Sequence, residues 1–373
     1  MQSLDSLLVQ QSNKIGDKLL QVLTDIVNKV EIKPNFSIRH PNYKPFELPA
    51  EVVCRFENLP EQIKQKYLSL QLQSFLYGIY YNGSMRTDLA LDKETDNRPI
   101  NLENNTFLGV DLEFYDQLHQ SNQGEGYFDS GWLILKEEED GGLTVSKGDL
   151  NLYIERDKYL QTFEKSAVVG DLVAIKMPKN LVQNGFYMAV GNEGHQTIKT
   201  SPNESVIVRI YFNLTPPGSI KVMASLTQQL NNLKIPFSFK VLYNPEDYQR
   251  YDSGVLYFDK ENYQKIKVIL ENIYHEHQGY FKPEIPLFTL EIAPGLGLAE
   301  EPDKKFFQKE SFGMNRCQII ANGLLKAWYN GDNSPEGRMK AIFEQFSQLS
   351  IDLQYSYLNS ESENIYDQVS MLD

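Results

Sequence analysis

The sequence predicts an α+β protein: a helical N-terminal part, then a mixed, mainly antiparallel sheet flanked by helices. Three observations carry that expectation. Residues 3–30 and 59–81 place apolar side chains at helical spacing. From Gly126 onward the pattern changes to short apolar runs separated by Gly, Asn and Asp turns. The 22 Tyr and 20 Phe favour pleated, half-buried surfaces over a plain helical bundle.

The chain divides into a mainly helical region (1–125), an α+β domain (126–358) and a polar tail (359–373). In the first, Leu4, Leu7, Leu8, Ile15, Leu19, Leu20, Leu23, Ile26 and Val27 fall near one helical stripe. Pro34, Pro41, Pro45 and Pro49 then impose extended chain, and His40, which precedes a proline, is biased the same way. A helix over 59–81 begins after Pro60 and stops near Asn82-Gly83. An acidic, Asn-rich stretch (92–105) leads into a second helix candidate over 104–122, and residues 121–126 mark a junction.

Residues 126–154 read as a meander turning at Asp140-Gly141-Gly142. GDLVAIKMPKN, NGFYMAVGN and SVIVRIYFNL add three strands, followed by a helix over 219–233 and the strand FSFKVLY. GVLYF and a helix over 260–281 complete a strand-to-helix unit. APGLGLAEEP (293–302) fits neither glycine-rich phosphate motif, and its acidic end would repel phosphate, so a turn-rich lid or pocket rim is expected. Ser311 is placed to cap the next helix. The tail is polar enough to be loose.

A formal charge of −14 argues against a nucleic-acid partner. No apolar run approaches the ~18 residues that a membrane span needs. No basic-then-apolar leader opens the chain, and Cys54 and Cys317 form no CxxC or metal pattern, which suits a reducing cytoplasm. His275, Glu276 and His277 are not at ligand spacing on a helix, so no metal is expected. VAIK at 173–176 lacks the other kinase motifs.

The chemistry concentrates between Val206 and Phe258. Arg209, Lys240 and Arg250 each sit in or beside apolar strand sequence. Alternation puts Arg209 and Tyr211 on one strand face, and Lys240 opposite Phe239 and Val241. Cations embedded in apolar sequence are costly unless an anion meets them, so they suggest a phosphate or carboxylate pocket. A local pair of Arg250 with Asp252 is the plainer alternative. Lys176, at the end of a VAI run, is either a base of lowered pKa or a strand-end lysine in water. Arg316, early in the last helix, could join a phosphate clamp or pair with Glu310. His40, beside Arg39, is an acid candidate or a turn cap.

Taken in order, GDLVAIKMPKN, NGFYMAVGN, VRIYFNL, IPFSFKVLYNPEDYQRYDSGVLYF, APGLGLAEEP and SFGMNRCQIIANGLLKAW resemble the HopA-type effector family over about residues 35–330. The chain looks like the stand-alone HopA-like proteins encoded with precursor peptides of ribosomally made, modified natural products and with phosphotransferase-like kinases. That resemblance implies a cytoplasmic lyase without a cofactor, working after the separate kinase. Its substrate would be the phosphorylated precursor peptide, from which it eliminates phosphate to leave dehydroalanine or dehydrobutyrine. It implies neither a nucleic-acid nor a membrane partner. Under it, Arg209, Arg250 and Arg316 form the phosphate clamp, and Tyr211, on the same strand face as Arg209, also binds the substrate phosphate. Lys176 is the preferred base, Lys240 the runner-up, His40 the acid, and Asp252 orients a cation. The rival implication is a non-catalytic peptide- or protein-binding scaffold, with a groove on a strand edge.

Overall fold

The structure, a computed structural model, describes residues 16–35, 37–57, 59–91, 106–107, 109–195 and 206–367. The stripe N-terminal to Gly16, the acidic stretch 92–105 and the last six residues lie outside the described residues. Helix α1 (Asp17–Lys29) turns Leu19, Leu23, Ile26 and Val27 inward, as its apolar period requires. Its end is closed by the buried Arg338, which donates to Val27 O at 2.6 Å and to Val30 O. Burial among those carbonyls pushes the Arg338 pKa down to about 10.

Strands β1 (Glu31–Ile32), β2 (Ile38–His40) and β3 (Tyr43–Phe46) make a small antiparallel sheet. Two helices follow: α2 (Ala50–Glu57), absent from the sequence reading, and α3 (Glu61–Leu76), which runs into a π-helical turn at Tyr77–Tyr81. A hairpin, β4 (Thr106–Phe107) and β5 (Val110–Asp111), leads into α4 (Leu112–Ser121). Asp111 caps that helix by accepting Phe114 N–H at 2.9 Å, which shortens it relative to the predicted span.

The meander is β6 (Tyr127–Glu137), β7 (Leu143–Lys147) and β8 (Leu150–Ile154). A short α5 (Arg156–Tyr159) then leads to β9 (Leu172–Met177), and the sheet order is β8-β7-β6-β9. This sheet has its own core around Trp132, Ile134, Val145 and Ile175.

The main sheet contains β10 (Asn180–Gln183), β11 (Phe186–Val190), β12 (Ile207–Phe212), β13 (Ser238–Leu242), β14 (Gly254–Asp259), β15 (Leu290–Ala293) and β16 (Leu296–Glu300). They are ordered β10-β11-β13-β14-β12-β16-β15, and every pair is antiparallel. Helices α6 (Pro216–Asn232) and α7 (Tyr263–His277) flank one face, where Phe212 packs on Phe239 and Phe281, and Phe281 on Tyr274. On the other face, Tyr211 packs on Tyr81 of the π-turn and on Phe312 of α8 (Phe312–Tyr329). Helix α9 (Pro335–Gln348), also absent from the sequence reading, packs on α8 at Gly323, where a Cβ would lie 2.7 Å from the Ile342 backbone. Cys317 is buried within α8, whereas Cys54 is exposed on α2.

Two expectations are corrected. APGLGLAEEP is not a rim loop: it is the turn and second strand of the β15–β16 hairpin, and β16 is buried throughout. Gly295 holds the turn at φ +77°, where a Cβ would meet Lys282 O at 2.3 Å. The tail is not loose from residue 359 through Asp367. The fully buried Glu300 accepts from Asn359 N (2.9 Å), Ser362 Oγ (2.8 Å), Tyr366 Oη (2.8 Å) and Lys260 Nζ (2.9 Å), tying this segment to the sheet. A polar composition is compatible with order here because one buried carboxylate gathers its donors.

Candidate functional site

Register decides what the strand cations meet. Lys240 lies opposite Met188 of β11 and Val255 of β14, and Arg209 lies opposite Tyr257 of β14. Side chains two residues apart share a face, so Phe186, Lys240, Tyr257, Arg209 and Tyr211 all project from the same side of the main sheet. Arg250, just before β14, reaches that side as well. The result is a ladder of alternating cations and rings. The Arg250 guanidinium carbon is 5.6 Å from the Phe186 centroid, and Lys240 Nζ is 4.4 Å from that centroid. Lys240 Nζ is also 5.6 Å from the Tyr257 centroid, and the Arg209 carbon is 5.0 Å from it. The quadrupole of each ring face helps keep like charges together at this spacing.

Carboxylates tie down both ends. Asp252 accepts Arg250 Nε at 2.5 Å and Nη2 at 2.9 Å, the local pair the sequence left open. It also accepts Tyr77 Oη at 3.3 Å and Asn82 Nδ2 at 3.2 Å. Burial raises the Asp252 pKa, but Arg250 outweighs that and holds it below the usual carboxylate value. Burial also opposes the charge on Arg250, and Asp252 raises its pKa in spite of that. Arg209 pairs through Nε and Nη2 with Glu301, which also takes Lys305. Each guanidinium thus turns its Nε–Nη2 edge to its carboxylate; Arg209 is buried beside Tyr211, whereas Arg250 is half-buried.

Lys240 differs. It donates to Gln183 Oε1 at 3.4 Å and has no carboxylate ion pair among the described residues. Four cations (Arg209, Lys240, Arg250, Lys305) face two carboxylates (Asp252, Glu301), a surplus of two positive charges.

Beneath the ladder, Tyr77 stacks on Tyr81 at 4.9 Å, and Tyr81 meets Tyr211 edge-on at 6.4 Å. The Tyr81 and Tyr211 hydroxyls are buried without a hydrogen bond of good geometry, although each approaches the other and Tyr211 approaches Arg209, so the phosphate contact expected of Tyr211 is corrected to a place beneath the ladder. Burial raises both pKa values, so both phenols are neutral. Gly313 of α8 admits the Tyr81 ring, since a Cβ there would fall 2.3 Å from it. A π-helical turn often marks a working site, and this one aims Tyr77 and Tyr81 at the ladder.

The remaining sequence candidates go elsewhere. Arg316 is 1% exposed and donates to Ser356 O (2.9 Å), Leu358 O (3.0 Å) and Asn315 Oδ1 (2.6 Å). It fastens the C-terminal segment to α8, so its clamp role is revised. Its burial pushes the pKa down to about 10. Lys176 is exposed on β9 of the four-stranded sheet, with a core separate from the ladder's; the preferred base is not brought to the site. His40 lies on the other side of the π-turn, packed on Tyr43 at 5.0 Å and Tyr80 at 6.1 Å, with Nε2 3.6 Å from Asp25. Burial lowers its pKa despite Asp25, and no contact carries it to the ladder.

Sequence reasoning missed Phe186, Tyr257, Tyr77, Asn82, Glu301 and Lys305. Glu301 was visible in the AEE run, but as an acid repelling phosphate instead of the partner of Arg209.

Residues 177–358 match the HopA1 effector protein family. The whole ladder falls inside the matched residues, while His40, Lys176 and nearly all of the four-stranded sheet fall outside them. Two solved structures resemble the chain. One is the effector protein from Pseudomonas syringae pv. tomato strain DC3000, 15% identical, covering 77% of this chain and 90% of that chain, with a TM-score of 0.42. The other is the effector protein from Pseudomonas syringae pv. syringae strain 61, 15% identical, covering 80% of this chain and 98% of that chain, with a TM-score of 0.40. No curated protein matches the chain. Among the described residues, no helix is long and apolar enough to cross a membrane.

Proposed function

We propose that this protein is a phosphoserine/phosphothreonine lyase acting on a precursor peptide phosphorylated by a separate kinase. The observation that supports this reading is the excess of cations over carboxylates on a partly open sheet face: one positive charge while Lys240 is neutral, and two once it holds a proton, as charge builds on the leaving phosphate. In β-elimination a base removes the Cα proton and leaves its electron pair on Cα, delocalised into the adjacent carbonyl. That pair forms the Cα=Cβ bond as the Cβ–O bond breaks, and phosphate leaves with the electrons of the broken bond. Arg250, half-buried and held by Asp252, would contact the phosphate oxygens, and the buried Arg209, held by Glu301, would add its charge from beneath. Lys240 replaces Lys176 as the base, because it sits between the two arginines. Phe186 and Tyr257 form the apolar floor. This chemistry draws on proton transfer and electrostatics.

The carboxylate on each arginine favours a second reading, a scaffold that binds peptide without chemistry, because paired arginines need no ligand. Mass spectrometry of a phosphoserine/phosphothreonine peptide incubated with the purified protein separates the two. Loss of phosphoric acid at each phosphosite is the expected result. A bound but unchanged peptide refutes the lyase and leaves the scaffold.

A further inference from the structure

A cleft of about 360 Å³ backs onto the wall that carries the Arg250–Asp252 pair. Three consecutive residues divide between the two sides. Arg250 and Asp252 serve the ladder, while Tyr251 lines the cleft. Tyr251 N–H donates to Asn82 O at 2.9 Å, and its hydroxyl accepts Arg86 Nη1 at 2.7 Å. The π-turn divides in the same way: Tyr77 and Tyr81 meet the ladder and Tyr80 the cleft. Leu287 N–H donates to Tyr81 O at 3.0 Å and fixes the cleft's other wall to this turn. One hydrogen-bonded layer therefore separates cleft from ladder.

The cleft's chemistry selects its occupant. Leu19, Val22, Ile285 and Phe288 supply apolar walls. Lys18 and Arg86 stand on the rim together with Glu284 and Glu291, so the rim carries both signs of charge. Leu290 and Glu291 belong to β15, the end strand of the main sheet, one edge of which no other strand of the sheet pairs. An open strand edge offers main-chain donors and acceptors that another extended chain matches. Apolar walls beside it take alternate side chains, and a two-signed rim suits a peptide bearing both charges.

We propose that this cleft is a second peptide site, taking an extended, unphosphorylated segment with large apolar side chains from the same polypeptide whose phosphorylated residue meets the ladder. The part about the shared polypeptide rests on the lyase reading; the cleft's affinity for an extended apolar peptide does not.

The test is a fluorescence-anisotropy titration of the full chain with a fluorescein-labelled synthetic peptide alternating Leu and Val with Thr, between a terminal Lys and Glu. Saturable binding is expected. It should weaken about tenfold or more in Leu353→Asp and in Leu287→Asp, two half-buried lining positions, because a seated apolar side chain is lost. Lys240→Met should leave it unchanged. Saturable binding with this mutational pattern, but no elimination from phosphopeptide, sinks the lyase reading and keeps the cleft. No saturable binding at millimolar peptide, or binding indifferent to both Asp variants, overturns the proposal. Self-association without peptide that Leu353→Asp abolishes, read by sedimentation velocity, assigns the cleft to a second copy and also overturns it.

Discussion

Lys240→Met is the substitution that most cleanly separates chemistry from folding. The sequence alone nominates Arg209→Ala and Arg250→Ala, yet both arginines are locked to carboxylates. Asp252 is 4% exposed and takes both Nε and Nη2 of Arg250, so removing the arginine leaves a buried charge with only the neutral donors Tyr77 and Asn82 of the contacts named above. Breaking a buried pair that way costs about 3–5 kcal/mol of stability, and lost activity would then report unfolding. Lys240 is only half-buried and has no carboxylate to strand among the described residues. Methionine keeps the stem's contact with Phe186 and removes the charge, so stability should change by no more than about 1 kcal/mol, the value of an exposed cation–π contact. The elimination rate should fall about 100-fold or more, the loss expected when a positioned general base is removed. Urea unfolding and single-turnover mass spectrometry on the same preparations read the two quantities. A folded Lys240→Met protein eliminating phosphate within about threefold of the parent would refute the role given to the ladder.

Other predictions concern its supports. Glu300→Ala removes the shared acceptor of Lys260, Ser362, Tyr366 and Asn359 N–H. It should lower stability by about 3 kcal/mol and open residues 359–367 to limited proteolysis, which gel analysis would show. Gly313→Ala drives a methyl into the Tyr81 ring; denaturant melts should show a loss of about 1–3 kcal/mol. The folded-state pKa of Asp252 is depressed, so its stability contribution is complete above the unfolded value of about 3.9 and fades as pH falls through the folded value. The stability gap between parent and Asp252→Asn should therefore be widest above about pH 5 and shrink on acidification; a gap that widens in acid would contradict the sign of this linkage.

Much of the architecture was legible from local pattern. Period-two alternation correctly put Arg209 beside Tyr211 and away from Ile210, and Lys240 away from Phe239, because strand geometry needs only neighbouring residues. Ser311 caps α8 by accepting Met314 N–H at 3.3 Å, a four-residue signal. The pair of Arg250 with Asp252 was also within reach, two positions apart. Strand order, by contrast, is not encoded locally. Glu301 meets Arg209 across 92 residues because β16 pairs with β12. Phe186 and Tyr257 flank Lys240 because β11 and β14 flank β13. The same long-range pairing leaves Lys176 on a different sheet and carries His40 behind the π-turn. It also gives Arg316 to backbone carbonyls at 356 and 358. The sequence determined which residues carry charge and which way each strand turns it; only the tertiary register decided that Arg209 and Arg250 meet carboxylates and that Lys240, among the described residues, does not.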